Sequence, residues 1–332
     1  MVEAALEPLP ARELVAVSGI RLVFCGTPQF AVPSLKHLLV QSDFEVLGVF
    51  TQPDRPRGRG QEISFSPVKE LALEENLPVF QPAKIRAPEA EEQLRALQPD
   101  AIVIIAYGQI IPARLLNIPR LGWINLHASL LPKYRGAAPI NWAIAQGETR
   151  SGNTTMRIDA GMDTGEMLLQ QELKIGAEET TPEFAARLAE AGAQLMSETL
   201  RGIAEGALSG RPQNHVEATL APMLKREDGR IDWQLPAAQI FNRMRGFAPW
   251  PGAYTHFRGQ TCHLWGKPVS NEMSDAAPGK LLSAGSGTLR VACGRGSVLE
   301  LTSVKLEGRK QVSATEFANG ARLQVGEAFA TR

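Results

Sequence analysis

The segment Gly122-Trp-Ile-Asn-Leu-His-Ala-Ser-Leu-Leu-Pro-Lys-Tyr-Arg-Gly136 begins as a short β-like run and passes into a polar loop. Because side chains alternate between the two faces of a strand, Ile124 and Leu126 are expected to point into a core, and Asn125 and His127 to share the opposite face. An amide and an imidazole at the carboxyl end of a strand suit a site that polarises a carbonyl group and transfers a proton. Asn-x-His taken alone is more often a hydrogen-bonded structural pair, so the rest of the chain is needed to choose between the two interpretations.

Strand-like and helix-like segments alternate around this run. Arg21–Cys25 and Glu45–Phe50 are predicted buried strands, and Ala31–Val40 between them has the apolar spacing of a helix. Ala101–Ala106 is uninterruptedly apolar, as in a central strand of a parallel sheet. This order predicts an α/β, Rossmann-like domain with a predominantly parallel sheet, whose ligands bind at the carboxyl ends of the strands. The turn Gly26–Pro28 does not have the G-x-G-x-x-G pattern, which weakens a dehydrogenase interpretation.

The pattern changes along the chain and predicts four parts: a tail at 1–19, a catalytic domain at 20–207, a polar linker at 208–222 and a C-terminal domain at 223–332. Thr181 to about Glu205 is expected to form a long amphipathic helix that closes the catalytic domain. The C-terminal domain shows a helix at Ala237–Arg245 followed by short strands with Gly-rich turns, which is typical of an OB-like β-barrel. Its predicted strands are Ala253–Phe257, Thr261–Trp265, Leu289–Ala292 and Val298–Val304.

Composition limits the class of protein. The 332 residues are 44% hydrophobic and 21% charged, and no apolar run approaches the length of a membrane span. The first residues resemble neither a secretory signal nor a transit peptide. Three distant cysteines argue for a reducing compartment and against a disulfide framework or a Cys-rich zinc site. The net charge is zero, but residues 207–332 contain sixteen basic and ten acidic residues, a net +6 that suits a polyanionic partner or arises by chance on solvated surfaces.

Two loops carry charged residues. Thr51–Lys69 is rich in Pro and Gly and holds Arg55, Arg57 and Arg59, so no regular element is expected there. Arginines on such a loop can bind phosphates or read bases at a nucleic-acid end, although a solvated basic loop is the simpler alternative. The loop Asp159–Gly165 places two carboxylates among glycines, which suits acid–base chemistry and plain turn formation about equally. A metal site there is weakly indicated, since no further hard-ligand cluster is nearby.

Several motifs in one order along the chain resemble the methionyl-tRNA formyltransferases. The resemblance covers about residues 20–330, and the arginine loop together with the C-terminal domain distinguishes it from other folate-dependent formyltransferases. The matching segments are Phe24–Phe30, Val49–Gly60, Ala106–Gly108, Asn125–Pro132, Arg135–Ile140, Asp159–Met167, Arg230–Trp233 and Pro249–Pro251.

This resemblance implies a role for each matching residue. Asn125 donates a hydrogen bond to the oxyanion formed when an amine attacks the formyl carbon of 10-formyltetrahydrofolate, His127 stabilises that oxyanion and assists proton transfer, and Asp163 orients and tunes His127. No metal is implied. The folate site that the resemblance implies consists of Ala106, Tyr107, Gly108, Ser129, Leu130, Leu131, Pro132, Asp159 and Asp163.

The resemblance also implies the partner. Arg55, Arg57 and Arg59 are expected to reach the acceptor end of initiator methionyl-tRNA, with Arg59 at the key position, and the C-terminal barrel is expected to grip the tRNA body. A monomeric, cytoplasmic protein of bacterial type, not associated with a membrane, is predicted. Three alternatives are less favoured. A sugar-nucleotide formyltransferase is disfavoured by the arginine loop, and a glycinamide ribonucleotide formyltransferase has no need of the second domain. An inert RNA-binding protein has no reason to keep Asn125, His127 and Asp163 together.

Overall fold

The computed structural model describes residues 19–57, 62–285 and 287–330. Along these residues the strands are β1 (Ile20–Gly26), β2 (Phe44–Phe50), β3 (Arg55–Arg57), β4 (Glu62–Ser64), β5 (Val79–Phe80), β6 (Ala101–Ile105), β7 (Trp123–His127), β8 (Arg150–Arg157), β9 (Met167–Lys174), β10 (Tyr254–Phe257), β11 (Gln260–Pro268), β12 (Leu281–Gly285), β13 (Thr288–Ala292), β14 (Val298–Leu306) and β15 (Val312–Ser313). The α-helices are α1 (Val32–Leu39), α2 (Pro67–Glu74), α3 (Pro88–Leu97), α4 (Pro139–Ala145), α5 (Thr181–Ala204), α6 (Ala237–Gly246) and α7 (Ala314–Ala321).

The first domain is built on a seven-stranded sheet in the order β5-β2-β1-β6-β7-β8-β9. Neighbouring strands from β5 to β7 are parallel, and β8 and β9 continue the sheet antiparallel. The chain moves outward from β1 to β5 and then returns to form β6 on the other side of β1. In open α/β sheets ligands bind at the carboxyl ends of the strands where the strand order reverses in this way. The predicted Rossmann-like, predominantly parallel fold is confirmed.

Helices cover both faces of this sheet because its strands are apolar on both sides. Leu22 and Phe24 of β1 pack in one core with α1, α2 and α5, whereas Val23 and Cys25 pack in a second core with α3. Every residue of β6 is buried. The central strands are therefore fixed from both sides, and their carboxyl ends form a rigid base for a site.

The second domain is an antiparallel sheet in the order β10-β11-β14-β13-β12, with β15 paired to β14. The C-terminal segment closes it, because Ala330 pairs with His256 of β10 and Ala328 pairs with Lys280 beside β12. Trp233 and Phe329 stack in its core with their ring centroids 5.5 Å apart. A curled sheet with its edges joined is the predicted OB-like barrel.

The two domains are in direct contact. Helix α6 packs against α4, and Trp142 and Phe247 make an edge-to-face pair there at 5.2 Å. Arg245 of α6 is buried and donates to the carbonyl oxygens of Gly176 and Glu179, both at 3.1 Å. The domain boundaries at 207 and 222 stay predictions. Among the described residues, no helix is both long and apolar enough to cross a membrane.

Two local expectations were wrong. The stretch Thr51–Lys69 was expected to hold no regular element, but β3 and β4 pair antiparallel within it as a short hairpin. The strand predicted at Thr154–Ile158 begins earlier, at Arg150. Its first half is polar, and the side chains are buried through hydrogen bonds rather than apolar contact: Asn153 donates to the carbonyl oxygen of Leu188 at 2.7 Å. Apolar periodicity does not detect a strand buried in this way.

Candidate active site

Strand β7 ends in the two polar residues that the alternation placed on one face. Ile124 and Leu126 lie in the core shared with α5, while Asn125 and His127 line a cavity of about 560 Å³ at the carboxyl ends of β6 and β7. Asn125 is only 9% exposed, yet its side-chain amide forms no hydrogen bond with any residue the structure describes. A buried amide whose hydrogen-bonding groups are free only toward a cavity is suited to bind a polar atom of a ligand.

The imidazole of His127 is held in one orientation. Its Nε2 lies 2.9 Å from the carbonyl oxygen of Tyr134. Because a carbonyl oxygen can only accept, Nε2 carries the proton, and in the neutral ring Nδ1 is the basic atom. Nδ1 lies 3.7 Å from Oδ2 of Asp163. The unprotonated nitrogen of the neutral ring is therefore the one that faces the Asp163 carboxylate.

Asp163 belongs to the loop between β8 and β9. Its backbone has a left-handed φ of 53°. Its Oδ2 accepts a hydrogen bond of 2.8 Å from the backbone N–H of Gly136. In the same loop, Asp159 accepts from the backbone of Gly161 and from the hydroxyl of Thr164, so its carboxylate shapes the turn. The two carboxylates in this loop differ in their contacts: Asp163 faces the imidazole, and Asp159 bonds within the loop.

A second cavity of about 360 Å³ adjoins the first. Both are lined by Ile104, Gln109, Ile110, Asn125, Met162 and Asp163. Ile110 is 88% exposed and Met162 is 67% exposed, so apolar side chains stand at the mouth. Such a site combines apolar walls with a few convergent polar groups, which is the usual composition of a small-molecule pocket.

Five of the nine residues assigned to folate line the two cavities, and Asp163 lines both. Ala106, Tyr107 and Gly108 line the first cavity, and Asp159 lines the second. Burial raises the pKa of the Tyr107 hydroxyl, so that side chain stays neutral.

The structure does not bring Ser129, Leu130, Leu131 or Pro132 into the lining of either cavity. Ser129 donates to the carbonyl oxygen of Lys133 at 2.6 Å, and the backbone of Leu131 bonds to Thr154 and Gln170. These contacts shape the turn after β7, and a direct folate contact by these four residues stays a prediction.

Of the three arginines, Arg55 lies near the Ala106–Gly108 backbone. Arg55 is exposed and lines a third cavity of about 380 Å³, together with Thr27, Gln52, Asp54 and the same Ala106–Gly108 backbone. Although burial opposes it, hydrogen bonds from Lys69 and Gln81 hold the pKa of Asp54 below its usual value, so this carboxylate is charged beside Arg55. Arg57 lies in β3, and Arg59 lies outside the described residues.

Sequence reasoning missed three residues of the site. Tyr134 and Gly136 contribute only backbone atoms, to His127 and Asp163, and a backbone contact has no signature in a side-chain pattern. Gln213 is only 5% exposed and donates to the carbonyl oxygen of Asp163 at 2.8 Å from the linker, 50 positions away. The segment Gly122–Gly136 and the Arg135–Ile140 motif include residues of this turn, but neither gives its role. Among the described residues, no three His, Cys, Asp or Glu side chains lie close enough together to hold a metal ion.

Comparisons with known proteins identify the family of both domains. Residues 20–200 match the formyl transferase family, and residues 223–322 match the formyl transferase C-terminal domain. The chain is 54% identical to a methionyl-tRNA formyltransferase of Solibacter usitatus, over 93% of this chain and 98% of that one. It is 47% identical to the enzyme of that name from Geobacter sulfurreducens, over 93% and 96%.

A solved structure has the same fold. It is an N-formyltransferase from Helicobacter canadensis, in complex with folinic acid and dTDP-3-aminofucose, with a TM-score of 0.61 at 18% identity over 85% of this chain and 98% of that one. At that identity the likeness concerns the fold alone. The identity to the curated relatives spans both domains, and by it the chain belongs to the methionyl-tRNA formyltransferase family.

Proposed function

We propose that the chain transfers the formyl group of 10-formyltetrahydrofolate to the free amino group of initiator methionyl-tRNA, giving N-formylmethionyl-tRNA for translation initiation. One observation carries the chemistry: the amide of Asn125, Nδ1 of His127 and the carboxylate of Asp163 converge on one cavity. The relatives of that name, 43% to 54% identical over nearly the whole chain, support the choice of acceptor.

The cavities suit the formyl donor. A flat heteroaromatic ring needs apolar walls with a few polar groups at the edge, and Ile104, Ile110 and Met162 provide the walls. Asp159, Asp163 and the backbone of Ala106–Gly108 are the polar groups. The donor supplies a formyl group on nitrogen, activated for attack by an amine.

Each residue then has one action. Asn125 donates a hydrogen bond to the formyl oxygen as negative charge develops there. His127 takes a proton from the attacking amine at Nδ1, and its Nε2–H remains bound to Tyr134. Asp163 stabilises the resulting imidazolium across 3.7 Å. The amine nitrogen bonds to the formyl carbon, the bond from that carbon to the folate nitrogen breaks, and that nitrogen gains a proton.

The β3–β4 hairpin, which carries Arg55 and Arg57, and the second domain are proposed to bind the tRNA. Arg55 lines a cavity that shares the Ala106–Gly108 backbone with the catalytic cavity, so an acceptor end held there can reach the reacting atoms. The net +6 counted for residues 207–332 suits the phosphates of the tRNA body. We further propose that the protein acts in the cytoplasm as a monomer. Light scattering on the purified chain tests the monomeric state.

The deciding experiment measures formyl transfer from 10-formyltetrahydrofolate to charged initiator methionyl-tRNA, by the wild type and by His127→Ala. Transfer by the wild type and a fall in kcat on the order of 10²- to 10⁴-fold in the variant are expected, the usual range for a general base. A dTDP-amino sugar is offered as a second acceptor in parallel. Transfer to the sugar but not to tRNA by the wild type would replace this proposal with the sugar-nucleotide alternative.

A further inference from the structure

The segment between the two domains lies directly against the active-site loops. Arg211 pairs with Met167 at the end of the Asp163 loop, and Leu220 pairs with Arg135 in the turn after β7. Between these two bridges, Gln213 is the buried residue, while its neighbours Asn214 and His215 are exposed. A buried polar side chain in an otherwise exposed connection has to be fully hydrogen-bonded to be tolerated.

The Gln213 amide uses all its hydrogen-bonding capacity between two loops. Its Nε2 donates to the carbonyl oxygens of Asp163 and Gly165, both at 2.8 Å. Its Oε1 accepts from Nε and Nη2 of Arg135 at 3.0 and 2.6 Å. Because the guanidinium can only donate and the two carbonyl oxygens can only accept, the orientation of the amide is fixed.

Arg135 is the central residue of the turn that holds both acid–base groups. On one side of it, the Tyr134 carbonyl oxygen binds Nε2 of His127, and on the other side the Gly136 N–H binds the carboxylate of Asp163. The backbone of Arg135 is itself bonded to the linker, donating to Thr219 at 2.8 Å and accepting from Ala221 at 2.7 Å. The linker thus holds this turn by hydrogen bonds to both the backbone and the side chain of Arg135.

The linker also approaches the turn closely. A Cβ atom on Gly136 would lie 2.6 Å from the carbonyl oxygen of Ala221, and the φ of Gly136 is 121°. Only glycine fits between the linker and the Asp163 carboxylate.

From these contacts we propose that Gln213 is a positioning residue, which fixes the Asp163 loop relative to the Tyr134–Gly136 turn and so sets the distance between Asp163 and His127. It touches no reacting atom and acts through Asp163. The linker is thereby part of the active-site framework as well as a connection between domains. The kinetic part of this inference rests on the proposed function.

The test is Gln213→Glu, which keeps the shape and the acceptor for Arg135 but replaces the two donors by a carboxylate oxygen facing two carbonyl oxygens. We expect kcat for formyl transfer to fall on the order of ten- to a hundred-fold, with the KM for both substrates within about twofold, as for a small displacement of an aligned group. In the Asp163→Asn background the same change is expected to have little further effect, since residues acting as a unit are not additive.

The control is Asn153→Asp, which also converts a buried amide to a carboxylate but lies in β8, bonded to Leu188. It is expected to lower the melting temperature and to leave kcat unchanged. Gln213→Met, which removes the polar atoms at similar volume, is the second variant. A folded Gln213→Glu protein with wild-type kcat, or an equal loss of kcat in both backgrounds, would overturn the assignment. So would failure of both Gln213 variants to fold, because Gln213 would then be only structural.

The ring ¹⁵N chemical shifts of His127 provide a readout that does not depend on activity. They are expected to change in folded Gln213→Glu and to stay the same in Asn153→Asp. If the wild type transfers no formyl group, the proposed function fails, but these shifts still decide the inference: unchanged shifts in Gln213→Glu contradict it.

Discussion

Both domains bury polar side chains, but they use them differently. In the first domain Asn125 and His127 are buried beside a cavity, and the Asn125 amide forms no hydrogen bond with any other residue that the structure describes. In the second, Thr255 is as deeply buried, yet its hydroxyl donates to Ala330 and accepts from Trp233. Burial alone does not distinguish a site from a scaffold. Unfilled hydrogen-bonding capacity at a cavity does, because that capacity costs stability unless a ligand uses it.

The sharpest test of this difference is Asn125→Ala. Removing the amide is expected to lower kcat on the order of 10²- to 10³-fold, as for loss of one oxyanion donor, while the melting temperature barely changes because no hydrogen bond within the described protein is lost. Transfer kinetics and calorimetry measure the two effects. Asn153→Ala is the matched control: its amide is bonded to Leu188, so it is expected to lose stability and keep kcat. If both variants lose stability and neither loses kcat, Asn125 is part of the scaffold.

Arg59 belongs to a third kind of polar group, a charged side chain for which the sequence predicts contact with a macromolecule. Arg59→Ala is expected to lower kcat/KM for methionyl-tRNA about ten- to a hundred-fold, since one lost arginine contact to nucleic acid costs about 1–3 kcal/mol. Folate titration is expected to give an unchanged Kd. Arg120→Ala is the control for loss of one charge. Arg120 pairs with Asp100, which precedes β6 and therefore lies at the amino ends of the strands, away from the cavities. Equal losses for tRNA and folate in Arg59→Ala would contradict the assigned role.

These contrasts also explain what could be predicted from the sequence. The apolar run of β6 and the alternation in β7 are local patterns, so the fold class and the shared face of Asn125 and His127 followed directly from them. Asp163 came from a resemblance, because nothing within its loop separates it from Asp159. The pairing of Gln213 with Arg135 joins residues 78 positions apart and depends on the path of the linker. No local periodicity records such a contact.

The β3–β4 hairpin was missed for a related reason. Its strands have three residues each and lie in a segment rich in Pro and Gly, where propensity argues against strands. They form as a pair, with Arg55 opposite Ser64. At the base of the hairpin the hydroxyl groups of Thr51 and Ser66 are 2.8 Å apart, a buried contact that joins the two ends of the segment. Tertiary anchoring of this kind overrides weak local preference.

On the scaffold side of the comparison, Thr255→Val is expected to lower the free energy of unfolding by about 1–3 kcal/mol, since it leaves the Trp233 N–H and the Ala330 carbonyl group without their partner. Formyl transfer by the folded variant is expected to match the wild type. Chemical denaturation measures the loss. Thr302→Val, an exposed threonine on β14, is the matched control and is expected to change stability little. A Thr255→Val protein as stable as the wild type would show that these hydrogen bonds add nothing.

The smallest expected effect concerns a partly buried histidine of the barrel. Burial, together with the positive charges of Lys305 and Arg226, lowers the pKa of His263, and Glu307 opposes this only in part. The folded protein therefore holds His263 neutral, while the unfolded chain takes up the proton near its ordinary pKa of about 6.5. Stability is consequently lost as the pH falls from about 6.5 through the lower pKa of the folded state, because the unfolded state binds more protons in that window.

His263→Gln is accordingly expected to reduce the fall in melting temperature between about pH 7 and pH 5, since one source of preferential proton uptake by the unfolded chain is removed. Calorimetry across this range measures it. His215→Gln, in the linker outside the barrel, removes a histidine without touching β11 and is the control. If the melting temperature of His263→Gln falls with pH as steeply as that of the wild type, the barrel does not disfavour the charged ring.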